Sequence, residues 1–193
     1  MRFLLTANGF EYVSEAGRSL ALAEVAAWGG KGHEDAASGR IYIWSRALPL
    51  LRNTLLVGSG PDTFAAAFPQ HDFTGKYLAY GTSEMLVDKP HNFYLQTALN
   101  TGVMSLAALV GVFLSYAKTS FRVFCSRFRR EESWLIGLGC FLGIVGYLGA
   151  GLFNDSVVSV APVFWVMLGA GMRANALLAK SNQDISPRAT RLK

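Results

Sequence analysis

Three long stretches without a charged residue, all in the second half of the chain, constrain its fold most strongly. They cover residues 92–117, 133–153 and 156–172, which are 26, 21 and 17 residues long. A helix needs about 20 apolar residues to cross the hydrocarbon core of a bilayer, within a range of about 17–25. The third stretch reaches this length comfortably when it is extended to residue 179. We therefore predict three transmembrane helices.

The composition also indicates a membrane protein. Hydrophobic residues make up 51% of the chain and charged residues 16%, whereas soluble domains carry about 25% charged residues. The net charge of +5 does not predict nucleic-acid binding, because the basic residues cluster beside the apolar stretches. These clusters are Arg122, Arg127, Arg129 and Arg130 before the second stretch, and Arg188, Arg191 and Lys193 at the end.

The same clusters predict how the chain is oriented in the membrane. Lysine and arginine are enriched in short loops on the cytoplasmic side, and residues 118–130 hold five of them. The first transmembrane helix then begins outside and ends inside, and the polar tail lies in the cytoplasm. Residues 31–91 are therefore expected outside the membrane, which the chain crosses several times.

The predicted fold class is an all-α integral membrane protein, in which a large extracytoplasmic loop region with short amphipathic helices precedes three C-terminal transmembrane helices. The expected segments are an amphipathic N-terminal segment 1–30, the loop region 31–91, transmembrane helices 92–117, 133–153 and 156–179, a basic cytoplasmic linker 118–132 and a polar cytoplasmic tail 180–193.

One surface helix is expected within the loop region. Apolar residues recur there at steps of three and four, which is typical of one helix face: Ile41, Trp44, Leu48, Leu51 and Leu55. Arg46 and Arg52 interrupt the run, so this helix should lie on a surface, and Pro49 should kink it.

Several other patterns have structural explanations. Cys125 and Cys140 lie in different kinds of segment, which predicts neither a disulfide nor a paired metal site. The turn Gly58-Ser59-Gly60-Pro61-Asp62-Thr63-Phe64 lacks the Gly-Lys-Ser/Thr ending of a phosphate-binding loop. Glycines of the second apolar stretch fit close packing of membrane helices: Gly139, Gly143, Gly146 and Gly149.

A Pro-His-Asn sequence opens the first apolar stretch. His91 is either a structural residue at a helix start or a general base, since a neutral imidazole accepts protons. Asn92, Gln96 and Asn100 follow at helical spacing, and amides facing lipid would be costly to bury. They should therefore face other helices or a wet cavity. Gly102 lies eleven residues after His91, almost three turns and about 16 Å along one helix face.

Three arginines of the loop region also have two explanations. Arg40, Arg46 and Arg52 are either solvated charges that touch lipid phosphates, or they recognise a pyrophosphate, for which the guanidinium group is well suited. Their spacing of six residues does not place all three on one helix face, so the spacing alone does not distinguish these two explanations.

Taken together, these motifs resemble those of the O-antigen ligase and polymerase family. The resemblance is carried by Arg40-x-x-x-Trp44, the turn at residues 58–64, and Pro90-His91-Asn92-x-Tyr94-Leu95-Gln96, with the nine residues 93–101 between the His-Asn pair and Gly102. It covers about residues 38–172. Ser105 stands where the family often has a second glycine.

The resemblance implies a helical membrane glycosyltransferase that moves a glycan from a polyprenyl-pyrophosphate carrier to an acceptor hydroxyl on the outer leaflet. It implies no nucleotide sugar, cofactor or catalytic metal. His91 would activate the acceptor, and Arg40 would bind the leaving pyrophosphate. Arg46, Arg52, Asn92 and Gln96 are the candidate substrate-binding residues. Membrane lipids and the lipid-linked glycan are the implied partners, without nucleic acid.

Members of this family usually carry about a dozen membrane helices, most of them before the large loop. The three predicted here all follow it, so we expect the carboxy-terminal portion of such an enzyme, from a truncated gene, a split gene or an internal start. In a split gene, the missing N-terminal membrane half would be a separate partner chain. A non-catalytic membrane subunit or inactive remnant is the main alternative. A small transport component is a further one, but it predicts charged residues inside the apolar stretches.

Overall fold

A three-stranded sheet and seven α-helices form the part of the chain that the computed structural model describes: residues 2–6, 9–13, 17, 19–21, 25–126 and 131–190. The strands are β1 (Arg2–Thr6), β2 (Gly9–Val13) and β3 (Ser19–Ala21). The helices are α1 (Arg40–Ala47), α2 (Phe64–Ala67), α3 (Phe73–Tyr80), α4 (Phe93–Thr101), α5 (Val103–Ser126), α6 (Glu132–Ala150) and α7 (Ala161–Thr190). A 3₁₀ helix, Leu48–Asn53, follows α1.

The predicted fold class is confirmed by three helices that are long and apolar enough to cross a membrane. These spans are Val103–Cys125, Glu132–Ala150 and Ala161–Lys180. Shorter helices precede them, and from residue 25 onward the described elements are all helical.

The N-terminal segment departs from the amphipathic pattern expected for residues 1–30. Its strands pair antiparallel in the order β1-β2-β3, with Thr6 opposite Gly9 and Val13 opposite Ser19. The aromatic and β-branched residues of β2, Phe10, Tyr12 and Val13, favour a strand.

The first apolar stretch is two helices, not one helix over residues 92–117. It breaks at Gly102, whose φ is 105° and ψ 154°, a region that essentially only glycine occupies. The membrane-capable part therefore begins at Val103. The polar stripe of Asn92, Gln96 and Asn100 belongs to the short helix α4.

Two other boundaries also differ from those expected. Helix α5 continues to Ser126 through most of the predicted basic linker 118–132, because Lys118 and Arg122 are exposed and long cationic side chains can reach polar surroundings from a helix end. The other three basic residues of this linker lie outside the described residues. Helix α7 begins at Ala161, five residues after the predicted start.

Residues 1–106 form one compact unit. Its core joins α1 to α2, α4 and the segment before α4, through a cluster of buried side chains: Tyr42, Ile43, Ala47, Phe64, Phe68, Val87, Leu95 and Leu99. The Tyr42 ring meets Phe68 and Tyr80 edge-on, both at 5.9 Å between centroids. Aromatic burial therefore fixes α1, the helix that carries Arg40.

Residues 107–193 form the second unit, which holds α6, α7 and most of α5. Close approach of its helices depends on Gly137, Gly143 and Gly171, where a Cβ atom would meet Phe124, Met167 and Tyr116. Of the glycines expected from the sequence, only Gly143 has this role. A Cβ at Gly139, Gly146 or Gly149 would meet open space, since these three lie on the exposed side of α6.

Candidate functional site

Arg40 is the first residue of α1, at the positive end of the helix dipole. The N-cap residue is Gly39, which has no side chain to cap the helix, and no acidic residue lies in the first turn. Helices usually carry acidic residues there because the exposed amide groups are partly positive. A guanidinium at this position adds to that positive potential, so the start of α1 is suited to an anionic ligand.

The turn before Arg40 is strained. Ala37 and Ser38 have φ angles of 53° and 59° without being glycine, and such residues are uncommon in the left-handed region. Arg40 donates from Nη1 to the carbonyl of Ala37, at 3.2 Å. The Tyr80 hydroxyl donates to the carbonyl of Gly39, at 3.2 Å, and its ring leaves no room for a Cβ there.

Electrostatic contact also connects Tyr80 with Arg40. Burial raises the pKa of the Tyr80 phenol, while the positive charge of Arg40 acts in the opposite direction. Helix α3 therefore supports the position of Arg40 through packing, a hydrogen bond and charge.

His91 lies just before α4, on a backbone that is held on both sides. Pro90 is fully buried, and Asn92 is the N-cap of α4, where its Oδ1 accepts from the amide of Leu95 at 2.8 Å. His91 itself has a φ of 48° and is half-buried. A left-handed non-glycine residue costs about 1–3 kcal/mol, which the surrounding contacts must offset.

Trp44 connects α1 directly to the His91 segment. Its Nε1 donates to the carbonyl of Pro90 at 2.8 Å. Arg40 precedes Trp44 by four residues, so the two side chains share one face of α1. The face that bears Arg40 is therefore the face that contacts the residue before His91.

The Gly58–Phe64 turn closes the other end of α4. The amides of Ser59 and Gly60 donate to the carbonyls of Leu99 and Asn100, at 2.8 and 3.0 Å. Carbonyl groups at a helix end lack partners within the helix, and this turn supplies them. A Cβ on Gly58 would collide with the backbone of Asn100, which explains the glycine.

Gly102 completes the same junction. A Cβ there would lie 2.7 Å from the carbonyl oxygen of Leu56. Gly58 and Gly102 lie 44 residues apart in the sequence. Both are therefore parts of one packed junction at the end of α4 and the start of α5.

Arg46 lies in the core, although its interruption of the apolar stripe predicted an exposed residue. Its Nε donates to Asp72 Oδ2 at 2.9 Å, and its Nη2 lies 3.9 Å from Glu34 Oε1. The guanidinium stands 4.7 Å from the centre of the Tyr42 ring. Arg46 thus joins α1 to α3 in a buried ion-pair network, and its predicted role in substrate binding stays a prediction.

The remaining predicted residues are dispersed. Arg52 is exposed in the 3₁₀ helix, with its guanidinium 4.7 Å from the Trp28 ring centre. Gln96 is half-buried on α4. A cavity of about 430 Å³ is lined by Arg46 and His71 among mainly apolar residues, and neither Arg40 nor His91 lines it.

Sequence reasoning missed the residues that support the site from a distance. Asp72 caps α3 by accepting from the amide of Gly75 at 2.9 Å, which an Asp three residues before a glycine could suggest. Gln70 bonds Val87 through both its amide oxygen and its amide nitrogen, and it also accepts from the buried Lys76 at 3.0 Å. No local pattern indicates those partners. Burial lowers the pKa of Lys76, and Asp72 opposes this shift.

Comparison with known families identifies the family of this chain. The profile of the family described as O-antigen ligase matches residues 3–110, more than half of the 193 residues. This range contains α1, the glycine-rich turn, α4 and the start of α5. No curated protein and no solved structure matches the chain. The match over residues 3–110, together with three membrane-capable helices, shows that the chain is a membrane protein and belongs to the O-antigen ligase family.

Proposed function

We propose that this chain acts in the transfer or polymerisation of a glycan from a polyprenyl-pyrophosphate carrier to an acceptor hydroxyl, at the outer face of a bacterial cytoplasmic membrane. The observation that carries the proposal is the hydrogen bond from Trp44 to the carbonyl of Pro90. It joins the helix that presents Arg40 to the segment that presents His91, so an anion-binding group and a proton acceptor belong to one packed assembly.

Arg40 binds the pyrophosphate leaving group. As the bond from the sugar carbon to the pyrophosphate oxygen breaks, negative charge grows on that oxygen, and a guanidinium fixed in advance stabilises it. The strained turn at Ala37 and Ser38 and the support from Tyr80 hold Arg40 in place. The positive end of α1 adds to the same field.

His91 accepts the proton of the acceptor hydroxyl while the new bond forms between that oxygen and the sugar carbon. General-base catalysis by a positioned imidazole contributes about 10²–10⁴-fold to rates. Asn92 fixes the start of α4 and thereby the direction of His91. The left-handed backbone at His91 is the kind of strain that clusters at active sites.

The test is a transfer assay in membranes that contain the lipid-linked glycan and the chain with its natural partners. His91→Ala should reduce product by about 10²–10⁴-fold, and Arg40→Ala by about 10²–10³-fold. Arg40→Lys keeps the charge but not the planar fork and should recover part of the loss. His33→Ala, at an exposed loop histidine, is the matched control. Full transfer by both alanine variants would overturn the assignment and favour a non-catalytic subunit.

The orientation has its own test. Thr82→Cys places a thiol at an exposed position between α3 and α4, and the native exposed Cys125 lies near the end of α5. A membrane-impermeant maleimide applied from outside should label the first thiol only. Labelling of residue 82 only after the membrane is opened would contradict the proposed orientation.

A further inference from the structure

The loop Leu55–Val57 exposes three apolar side chains in a row. Their exposed fractions are 56% for Leu55, 76% for Leu56 and 77% for Val57. Met104, on the first turn of α5, is 62% exposed. We call these four residues the LLV patch. Contiguous exposed apolar surface of this kind marks an interaction site.

Hydrogen bonds fix this loop to the start of the first membrane-capable helix. The amide of Val103 donates to the carbonyl of Thr54 at 3.0 Å, and the amide of Met104 donates to that of Leu55 at 3.2 Å. The first amides of a helix have no partners within it, and unpaired backbone groups are especially costly in or near hydrocarbon. The loop thus caps α5, and its side chains lie at the level of that helix's first turn.

The length of α5 places that first turn relative to the bilayer. The span Val103–Cys125 has 23 residues, which at 1.5 Å each is about 35 Å. The hydrocarbon core is about 30 Å thick. The first turn of α5 therefore lies at the edge of the acyl region, and Met104 continues the apolar surface of α5 into the LLV patch.

The residues just before the patch fit the headgroup level. Arg52 stacks on Trp28 at 4.7 Å, and Trp28 is partly exposed. Indole rings are enriched at membrane interfaces, and arginine pairs well with phosphate. Arg52, stacked on the Trp28 ring, precedes three exposed apolar side chains with two residues between, and this order suits a segment that enters a leaflet.

We propose that the LLV patch inserts into the acyl chains of the leaflet in which α5 begins, as a second membrane attachment beside the transmembrane helices. The loop is then a short interfacial anchor that holds the glycine-rich turn and the end of α4 at the membrane surface. This inference rests on α5 crossing the membrane and does not depend on glycan transfer.

The experiment uses nitroxide side chains in proteoliposomes of phosphatidylethanolamine and phosphatidylglycerol. Leu56→Cys is labelled in a chain that also carries Cys125→Ser and Cys140→Ala, and its collision rates with oxygen and with a water-soluble nickel chelate are measured. Leu114→Cys, on an exposed apolar position of α5, is the lipid reference, and Glu84→Cys, at an exposed acidic position, is the water reference.

Oxygen concentrates in acyl chains and the nickel chelate in water, so the two rates distinguish the surroundings of the label. The proposal expects an oxygen rate at residue 56 between those of residues 84 and 114, and a nickel rate several-fold below that of residue 84, because the patch enters the acyl chains at their edge. A nickel rate equal to that of residue 84 would show a loop in water. Low rates for both reagents would show a loop covered by protein. Either result overturns the proposal.

Discussion

The two units of this chain bury different kinds of polar residue. In residues 1–106 the interior holds large aromatic side chains such as Tyr42 and Phe68, together with the charged trio Arg46, Asp72 and Lys76. In residues 107–193 the buried polar residues include the uncharged Ser120 and Asn175, beside aromatic residues such as Phe113 and Trp134, whereas Leu114, Phe121 and Val166 are exposed. The first pattern suits a region that water surrounds, and the second suits helices that lipid surrounds.

The difference shows which interactions determine how the helices of each unit pack. Hydrophobic burial drives folding in water, and the ion pairs of Arg46 determine which helices meet. Helices in lipid gain little from apolar burial against each other, so small residues and interhelical hydrogen bonds position them. Asn175 Nδ2 donates to Ser120 Oγ at 2.8 Å between α7 and α5, and Gly137 brings α6 near Ala174.

The largest effect is expected at Arg46. Arg46→Leu leaves Asp72 buried without its partner, and loss of one member of a buried ion pair costs about 3–5 kcal/mol. Pulse proteolysis across a urea series in detergent would measure this loss in residues 1–106. The control Arg52→Leu removes only an exposed contact with Trp28 and should cost about 0.5–1 kcal/mol. Equal losses would mean that the Arg46 network does not hold this unit together.

Two matched glycine substitutions, one in each unit, should change the free energy of unfolding in opposite directions. Gly102→Ala forces alanine into a glycine-only conformation, which costs about 1–3 kcal/mol, and it also crowds the Leu56 carbonyl. Gly139→Ala lies in a helix with open space beside it, so it should stabilise by up to about 1 kcal/mol. Thermal unfolding in detergent would compare them. A stabilising Gly102→Ala would contradict the role given to the α4–α5 break.

Trp44→Phe should have a modest effect on stability and a larger one on transfer. It removes one hydrogen bond, worth about 0.5–1.5 kcal/mol, and with it the link from α1 to Pro90. We expect the transfer rate to fall by more than the stability loss explains. Trp165→Phe, at a partly exposed position of α7, is the control. If both variants transfer equally well, Trp44 does not position His91.

The smallest effect is expected between Ser120 and Asn175. Hydrogen bonds between membrane helices contribute about 0.6 kcal/mol on average. A double-mutant cycle with Ser120→Ala and Asn175→Ala should give a coupling of about that size, measured by unfolding in micelles. A coupling energy larger than the stability loss from Arg46→Leu would contradict the expectation that buried polar contacts contribute less in residues 107–193 than in residues 1–106.

The sequence revealed those features that are determined by nearby residues. Three membrane-capable helices follow from charge-free stretches, because the requirement for crossing lipid applies along each segment. The break at Gly102 depends on the carbonyl of Leu56, and the burial of Arg46 depends on Asp72, 26 residues away. The hydrogen bond from Trp44 crosses 46 residues. Neither composition nor periodicity contains these pairings, so the motifs could be identified while the contacts joining them could not.

Because the chain breaks at Gly102, the nine residues of α4 form a separate helix of fixed length. At 1.5 Å per residue α4 is about 14 Å long, and the cap at Asn92 and the turn at Ser59 fix both of its ends. One inserted residue would lengthen this helix by about 1.5 Å and rotate His91 by about 100°. The conformation of Gly102 thus ends α4 at a fixed residue and sets the length of chain between the His91 segment and the membrane-capable helix α5.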